Sequence, residues 1–555
     1  MVRRLPLSQL AAAFWAIVSL MTGSLSAQEG VGHFQFKVEQ IPMRDGKSLA
    51  ADVFVPKEGG PTPTILIQTP YGRTLMRPMF EGKGRFGADS LFTDQHYSFV
   101  VTDWRGRNGS KDALVAGKPQ SLPEDGFDTL AWIAKQSWSN QKVGTWGASA
   151  LGRAQYATAS ANPPALVCSV PIVMTLNMDY DSYFPGGAAW EEFLNMLTRL
   201  GFNSDMYKTV TSRPVNDETW RNLPDRANVR PEDIRVPMLF MGGWYDIYTD
   251  GVINAFEAVR AKGGEKARSG SRLMMGPYVH AADTSKNGEL EFPKAELYSI
   301  RKARAFFDHW LRQQENEFSR PEPAVLSYQM GVDEWKGLPD WPPKDSKPSR
   351  YFLTADKTLT VAKPKNPAEP LTIHFDPADP VPTVGGHILN PDVVRGPADQ
   401  RQKVESRNDV LVFSTPELRQ DLTTAGKVSA ELYVSSDRPD TDFTVILTDV
   451  YPDGRSMLVG EGIRRMRFRE STNAEKMMTP GEIYRIAVEL PNTAITFPKG
   501  HQVRVIVSSS DYPRYSVNPN DGGLMYDKHK GVVATNHVYV DSTHPSALIL
   551  PVESH

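Results

Sequence analysis

Lys142-Val143-Gly144-Thr145-Trp146-Gly147-Ala148-Ser149-Ala150-Leu151-Gly152 runs from a short apolar stretch into a segment with helical spacing, and a serine stands at the change. A turn that tight holds its serine exposed above the edge of a sheet, and its crowding admits only small neighbours such as Gly147, Ala148 and Ala150. The pattern is not a complete Gly-x-Ser-x-Gly: Leu151 holds the second glycine position and Gly152 follows one residue late. An ordinary strand-to-helix turn with a serine N-cap reads much the same locally. The chain around the turn therefore has to decide between them.

Outward from this turn, from about residue 35 to 320, short apolar runs alternate with stretches of helical period. Strands are predicted at 64–69, 98–102, 142–146, 166–173, 237–241 and 272–275, apolar on both faces as a buried parallel sheet requires. Helices are predicted at 128–136, 152–160, 251–262 and 299–314. This is the alternation of a doubly wound α/β fold. The connection from the strand ending near 173 to the one starting near 237 is too long for a simple crossover. Its Trp, Tyr, Phe and Met, at 174–236, predict a helical cap over the C-terminal edge of the sheet. From about 350 to 553, short alternating runs punctuated by Pro, Gly and Asp predict an all-β region of sandwich or jelly-roll type. The Pro-rich stretch 337–348 is the predicted linker.

Composition bounds the function. The 555 residues are 40% hydrophobic and 23% charged, with 62 basic against 65 acidic side chains. A formal charge of −3 offers no broad positive field to nucleic acid or to an anionic membrane, so the expected partner is a small molecule. One cysteine, Cys168, permits no intramolecular disulfide, and no Cys and His cluster has zinc spacing. At the start, Arg3 and Arg4, an apolar run at 10–21 and the small residues Ser24, Ser26 and Ala27 form the three-part pattern of a signal peptide over 1–27. The expected location is secreted or periplasmic, with no membrane attachment once that segment is removed.

A serine nucleophile needs a base, and the base a carboxylate that orients it, in the chain order Ser, Asp, His for a fold of this kind. After Ser149 the α/β region contains two histidines, His280 and His309. His309 sits within a predicted helix, whereas His280 follows the strand at 272–275 and the loop Gly276-Pro277-Tyr278 and is the better base. Asp246 follows the strand at 237–241 and Gly242-Gly243-Trp244-Tyr245. A helix N-cap for Asp246 and a surface loop for His280 are the competing readings. For the oxyanion, the amide of Ala150 is one donor by the geometry of the turn. The second is sought in Thr69-Pro70-Tyr71-Gly72-Arg73, where the Tyr71 hydroxyl either donates or belongs to a packed aromatic.

These residues resemble the cocaine esterase-like (CocE/NonD) serine hydrolases, related to α-amino acid ester hydrolases and Xaa-Pro dipeptidyl-peptidases. The matching pieces are Met43-Arg44-Asp45-Gly46, Leu49-Ala50-Ala51-Asp52-Val53, Pro70-Tyr71, Asp103 to Ser110, Glu124-Asp125-Gly126 with Asp128, the turn at Ser149, Gly243-Trp244-Tyr245-Asp246 and Gly276-Pro277-Tyr278-Val279-His280. In the β region Asp440-Thr441-Asp442-Phe443, Asp449 to Gly454 and Asn518-Pro519-Asn520 match likewise. The resemblance implies an α/β-hydrolase fold (35–173 and 237–320) with an inserted helical cap (174–236), followed by an all-β jelly-roll domain (350–553). It implies Ser149 as nucleophile, His280 as base, Asp246 as its orienting partner, an oxyanion hole of Tyr71 and the Ala150 amide, and no metal or cofactor. The expected reaction is hydrolysis of carboxylic esters, with amides open to the same acyl-enzyme chemistry. A dipeptidyl-peptidase, an amino acid ester hydrolase and a non-catalytic binding protein are the alternatives. Where the family carries Tyr directly after the serine this chain has Ala150, so the acyl pocket is expected to lose an aromatic wall. Asp181, Glu191 and Glu192 are the candidates for holding a substrate ammonium, set against a reading as solvated helix charges. Asp103 and Arg105 read as a buried ion pair.

Overall fold

A ten-stranded sheet carries the turn at Ser149. The computed structural model describes residues 31–83, 90–115, 121–221, 229–280, 283–527 and 529–554, so the expected signal peptide lies outside the described residues. In chain order the sheet uses β1 (Phe34–Pro42), β2 (Ser48–Pro56), β3 (Thr62–Thr69), β4 (Ser98–Asp103), β5 (Ser139–Ala148), β6 (Leu166–Ile172), β7 (Leu239–Tyr245) and β8 (Arg272–Val279). A two-residue hairpin, β9 (Lys286–Asn287) and β10 (Leu290–Glu291), stands apart, and β11 (Val325–Gln329) and β12 (Glu334–Leu338) complete the sheet. The spatial order is β1-β2-β4-β3-β5-β6-β7-β8-β11-β12. The centre, β4 to β11, is parallel, and β2 and β12 join it antiparallel.

All six predicted strands occur. The strands at 237–241 and 272–275 continue to Tyr245 and Val279, so Asp246 and His280 each follow a strand directly, as Ser149 follows β5. Strands β4, β7 and β8 are buried at every residue, which suits the middle of a sheet covered on both faces. The antiparallel edges, β1–β2 and β11–β12, were not among the sequence expectations. Helices Leu122–Ile133, Ala150–Ser160, Thr249–Lys262 and Tyr298–Arg312 cover the faces. Gly126 brings the first against the second: a Cβ there would stand 2.0 Å from Thr158 Oγ1.

Between β6 and β7 the chain leaves the sheet and forms helices Glu191–Arg199 and Met206–Thr211 with short helical turns around them. Their own small core joins Tyr180, Phe184, Leu194, Val210 and Trp220, with Tyr526 from the β region packed on it. Among the described residues no helix is long and apolar enough to cross a membrane.

The later strands form two antiparallel sheets of seven and four strands. Their inner residues, Leu432 and Val488 in one, Val445 and Val505 in the other, belong to the same continuous core as the ten-stranded sheet. The predicted linker 337–348 shrinks to 339–345, because Gly337 and Leu338 close β12 and Ser346 opens the strand Ser346–Leu353. Even that remainder is packed. Trp341 is buried, its ring 5.2 Å from that of Trp244, and its Nε1 donates to Asn492 Oδ1 at 3.0 Å. Met330, just past β11, exchanges backbone hydrogen bonds of 3.0 and 2.9 Å with Ala494 and Thr496.

Candidate active site

Ser149 has φ 58° and ψ −124°, a conformation an L-residue holds only where its surroundings impose it. Its N–H donates to Ile172 O at the end of β6 (2.9 Å), and its carbonyl accepts from Arg153 N in the helix that follows (3.1 Å). Glycine is required nearby. A Cβ on Gly147 would lie 2.4 Å from Leu151 Cβ, and one on Gly152 2.9 Å from Met174 Cβ. Leu151 in place of a second glycine is therefore tolerated because Gly147 makes room for it, and Gly152 fulfils the packing duty one residue later.

Asp246 and His280 meet across the sheet edge. His280 Nδ1 donates to Asp246 Oδ2 at 2.6 Å, with both side chains all but fully buried. The other carboxylate oxygen accepts the Tyr248 N–H at 2.7 Å, and the Tyr248 ring stands edge-on to the imidazole with centroids 5.9 Å apart. The aspartate is thus held at both oxygens, and its bond to Nδ1 puts the imidazole's free lone pair on Nε2. His309 lies elsewhere, within helix Tyr298–Arg312, its Nδ1 3.3 Å from Gln314 O and from Ser319 Oγ.

The Tyr71 hydroxyl hydrogen-bonds with the Ser149 side chain and receives the Ala150 N–H. Burial pushes its pKa up to about 12, against the lowering pull of Ser149, Arg107 and the Ala150 amide, so it stays a protonated donor at neutral pH. Its loop is fixed by charge. Asp103 accepts from Arg73 N and Nη1 at 2.7 Å each, Asp52 accepts from Arg73 Nε at 2.9 Å and Arg77 Nε at 2.6 Å, and Asn108 Nδ2 donates to Pro70 O at 3.1 Å. The expected pair of Asp103 with Arg105 does not form. Arg105 instead bridges Asp125 (2.6 Å) and Asp45 (2.8 Å), while the Asp103 carboxylate is taken up by Arg73 and the Gly109 N–H.

Tyr71, Ser149, Ala150 and His280 all line one cavity of 460 Å³. Its walls are mainly aromatic and sulfur-bearing: Trp104, Met174, Phe193, Phe202 and Trp220. The aromatic surface expected to be lost at Ala150 is supplied from elsewhere, since Trp104 packs directly beside Ala150 with Tyr71 and Phe202 against them. Arg153 and Arg213 are the charged residues in the lining, and among the described residues no carboxylate lines it. Asp181 belongs to a separate polar cavity of 550 Å³ behind Asp246, and Ile247 and Tyr248 form the septum between the two. Glu192, read as a solvated helix charge or an ammonium ligand, is neither. It is 4% exposed and accepts the backbone N–H groups of Leu389 and Asn390 at 3.1 Å each.

Two contributors had no signal in the sequence. Tyr248 sits two residues after Asp246 and could be placed only once the turn after β7 was known. Leu389 enters the cavity from the β region, far along the chain from Ser149, and only the tertiary structure brings it there.

A profile of the X-Pro dipeptidyl-peptidase (S15) family matches residues 45–206 and 193–282, and one of the X-Pro dipeptidyl-peptidase C-terminal non-catalytic domain matches 316–549. The cocaine esterase of Rhodococcus sp. (strain MB1 Bresler) is 31% identical over 574 residues, covering 92% of this chain and 97% of that protein. Among solved structures, an α-amino acid ester hydrolase superposes with TM-score 0.83 at 26% identity over 96% of this chain and 98% of the other. An aminopeptidase from a Thaumarchaeota archaeon of marine sediment gives TM-score 0.83 at 25% identity over 97% and 99%.

Proposed function

The chain belongs to the cocaine esterase-like (CocE/NonD) family of serine hydrolases, and from that premise we propose that it cleaves carboxylic esters of bulky, largely apolar small molecules through an acyl-enzyme on Ser149. The observation that carries this reading is the buried Asp246–His280 pair, 2.6 Å apart, whose imidazole lines one apolar cavity together with Ser149 and Tyr71. In the reaction His280 Nε2 takes the Ser149 proton as Oγ attacks the carbonyl carbon, and Asp246 stabilises the imidazolium through Nδ1. The oxyanion accepts from the Tyr71 hydroxyl and the Ala150 N–H. The imidazolium then protonates the leaving alcohol. Water, deprotonated by His280, attacks the acyl carbon in the second half and releases the acid.

Ester rather than Xaa-Pro peptide is favoured by the charge of the lining. A dipeptidyl-peptidase or amino acid ester hydrolase must hold a substrate ammonium, which in an apolar cavity needs a carboxylate beside it. Among the described residues the charged side chains of the lining are Arg153 and Arg213, and Glu192 is committed to two backbone amides. Export to a secreted or periplasmic location, through removal of residues 1–27, is part of the same proposal and rests on the sequence pattern described above. N-terminal sequencing of the exported protein should begin at Gln28 or beside it.

A fluorophosphonate probe should label the wild-type chain at Ser149 alone, and Ser149→Ala should lose labelling and about 10⁴-fold or more of ester hydrolysis while still folded. His280→Ala should behave alike, whereas His309→Ala should stay within a few-fold of wild type. Retention of activity by Ser149→Ala, or a preference for Xaa-Pro anilides over p-nitrophenyl esters, would overturn the reading.

A further inference from the structure

The segment from Gly386 to Gly396 leaves the β region as a loop closed at its neck. Gly386 N donates to Gly396 O at 2.7 Å and Gly396 N to Gly386 O at 2.9 Å. The neck is packed tightly: a Cβ on Gly396 would lie 2.9 Å from Val279 Cγ1, the residue before His280, and one on Gly386 2.5 Å from Glu461 Oε1. Within the loop, His387 is anchored by Glu461, which accepts its N–H at 2.9 Å and its Nδ1 at 3.1 Å, and His387 Nε2 faces Trp244 O at 2.8 Å. Two residues on, Leu389 is 4% exposed and forms part of the active-site wall.

What holds Leu389 there comes from a different part of the chain. Glu192 stands in the first turn of the helix Glu191–Arg199, and its carboxylate oxygens accept the N–H groups of Leu389 and Asn390. The helix itself is fixed to the β region, because Glu192 N donates to Pro513 O at 3.1 Å and the Arg514 guanidinium lies 4.8 Å over the Trp190 ring. A carboxylate is the group suited to this duty: it accepts two adjacent amides at once, whereas a neutral amide side chain carries one acceptor oxygen.

We infer that Glu192 is a positioning residue that holds Leu389 in the active-site wall, and that this contact between the helical insertion and the β-region loop sets how large an ester the cavity takes. The inference rests on the hydrolase reading above and adds the size range of its substrates. Charged groups facing Glu192 are Arg514 and Arg395, the latter also within electrostatic reach of Asp246. Burial pushes the Glu192 carboxyl up to about 7, and the Leu389 and Asn390 amides, Arg514 and Trp190 pull against it without prevailing. Below that pH the added proton turns one oxygen into a donor, which no longer accepts an amide, and the hold on the loop weakens.

The test is the ratio of kcat/KM for p-nitrophenyl benzoate to that for p-nitrophenyl acetate, in the full chain. Both esters share the triad, so any effect common to the two cancels in the ratio. Leu389→Ala removes most of one apolar side chain from the wall and is expected to raise the ratio about tenfold or more, chiefly through KM. Glu192→Gln should move it in the same direction, and in the Leu389→Ala background should move it no further, since it acts through that side chain. In wild type the ratio should climb as pH falls through about 7 and be flat in Glu192→Gln. Fluorophosphonate titration of Ser149 normalises each variant to its folded sites. A Leu389→Ala ratio within twofold of wild type, or a Glu192→Gln effect that persists when residue 389 is alanine, overturns the inference. Absence of turnover by the wild-type chain with both esters would overturn the hydrolase reading instead.

Discussion

Replacing Asp246 by Asn changes one atom of the buried pair and leaves its shape. The Tyr248 N–H still requires an acceptor, and it bonds Oδ1 at 2.7 Å. The asparagine oxygen therefore stays on that side, and its NH₂ is forced toward His280 Nδ1, 2.6 Å from the present Oδ2. Facing a donor, Nδ1 must give up its proton, which moves to Nε2, so the imidazole turns the wrong nitrogen to Ser149 and no longer accepts its proton. Loss of the orienting charge removes the imidazolium's stabilisation as well. For this substitution in a triad the expected fall in kcat is on the order of 10⁴, and at about 1.4 kcal/mol per decade that is about 5.5 kcal/mol of transition-state stabilisation. The assay is steady-state hydrolysis of p-nitrophenyl acetate at pH 7.5, with circular dichroism to show that the fold is kept. A variant within tenfold of wild type in kcat would refute the tautomer argument, and with it the assignment of Asp246.

Tyr71→Phe deletes one hydroxyl and should lower kcat by about 10² to 10³ with KM less affected, the usual effect of losing one oxyanion donor; a near wild-type kcat would make Tyr71 a packing residue. Burial pushes the Glu461 carboxyl up, but Arg514 and His387 outweigh it and hold it at about 2, below its ordinary 4.5. A depressed carboxyl gives stability that is full above about 4.5 and is lost as pH falls toward 2, roughly 3 kcal/mol here. Urea unfolding should show that loss in wild type and a flatter profile in Glu461→Gln; a wild-type profile flat over this window would refute it. A chain ending at Asp340 uncovers Trp244 and Tyr245, both buried, and should aggregate; a soluble monomer with full activity would show the β region to be dispensable.

Much of the architecture is legible in the sequence because parallel strands buried on both faces leave unbroken apolar runs, as in Ser98–Asp103 and Leu239–Tyr245. Their C-terminal ends place Ser149, Asp246 and His280 along one edge without any knowledge of packing. The edge strands are less readable. Phe34–Pro42 mixes exposed and half-buried residues, and Glu334–Leu338 has no buried one, so neither carries a clear period. Charge pairing is opaque for a different reason: Arg105 has carboxylates near it in sequence and in space, and only the course of the loop after β4 decides between Asp103 and Asp125. Glu192 misleads because an acidic residue in a first helical turn usually faces water, and nothing local announces that the β region covers it. Leu389 lies in a stretch with no regular structure, and its role depends on contacts nearly two hundred positions away.

The paired neck at Gly386 and Gly396 gives this chain a way to change its range without changing its chemistry. Since the two neck residues bond each other, and the Leu389 and Asn390 amides are held by Glu192, a side chain in the stretch 387–395 that makes no anchoring contact, Leu389 among them, can be changed while the backbone on either side keeps its partners. Drift in that stretch reshapes one wall of the cleft. Ser149, Asp246 and His280 each follow a strand of the ten-stranded sheet, and none lies within this stretch. A substitution at Leu389 would thus alter one wall of the cleft while the turn that carries Ser149 keeps its geometry.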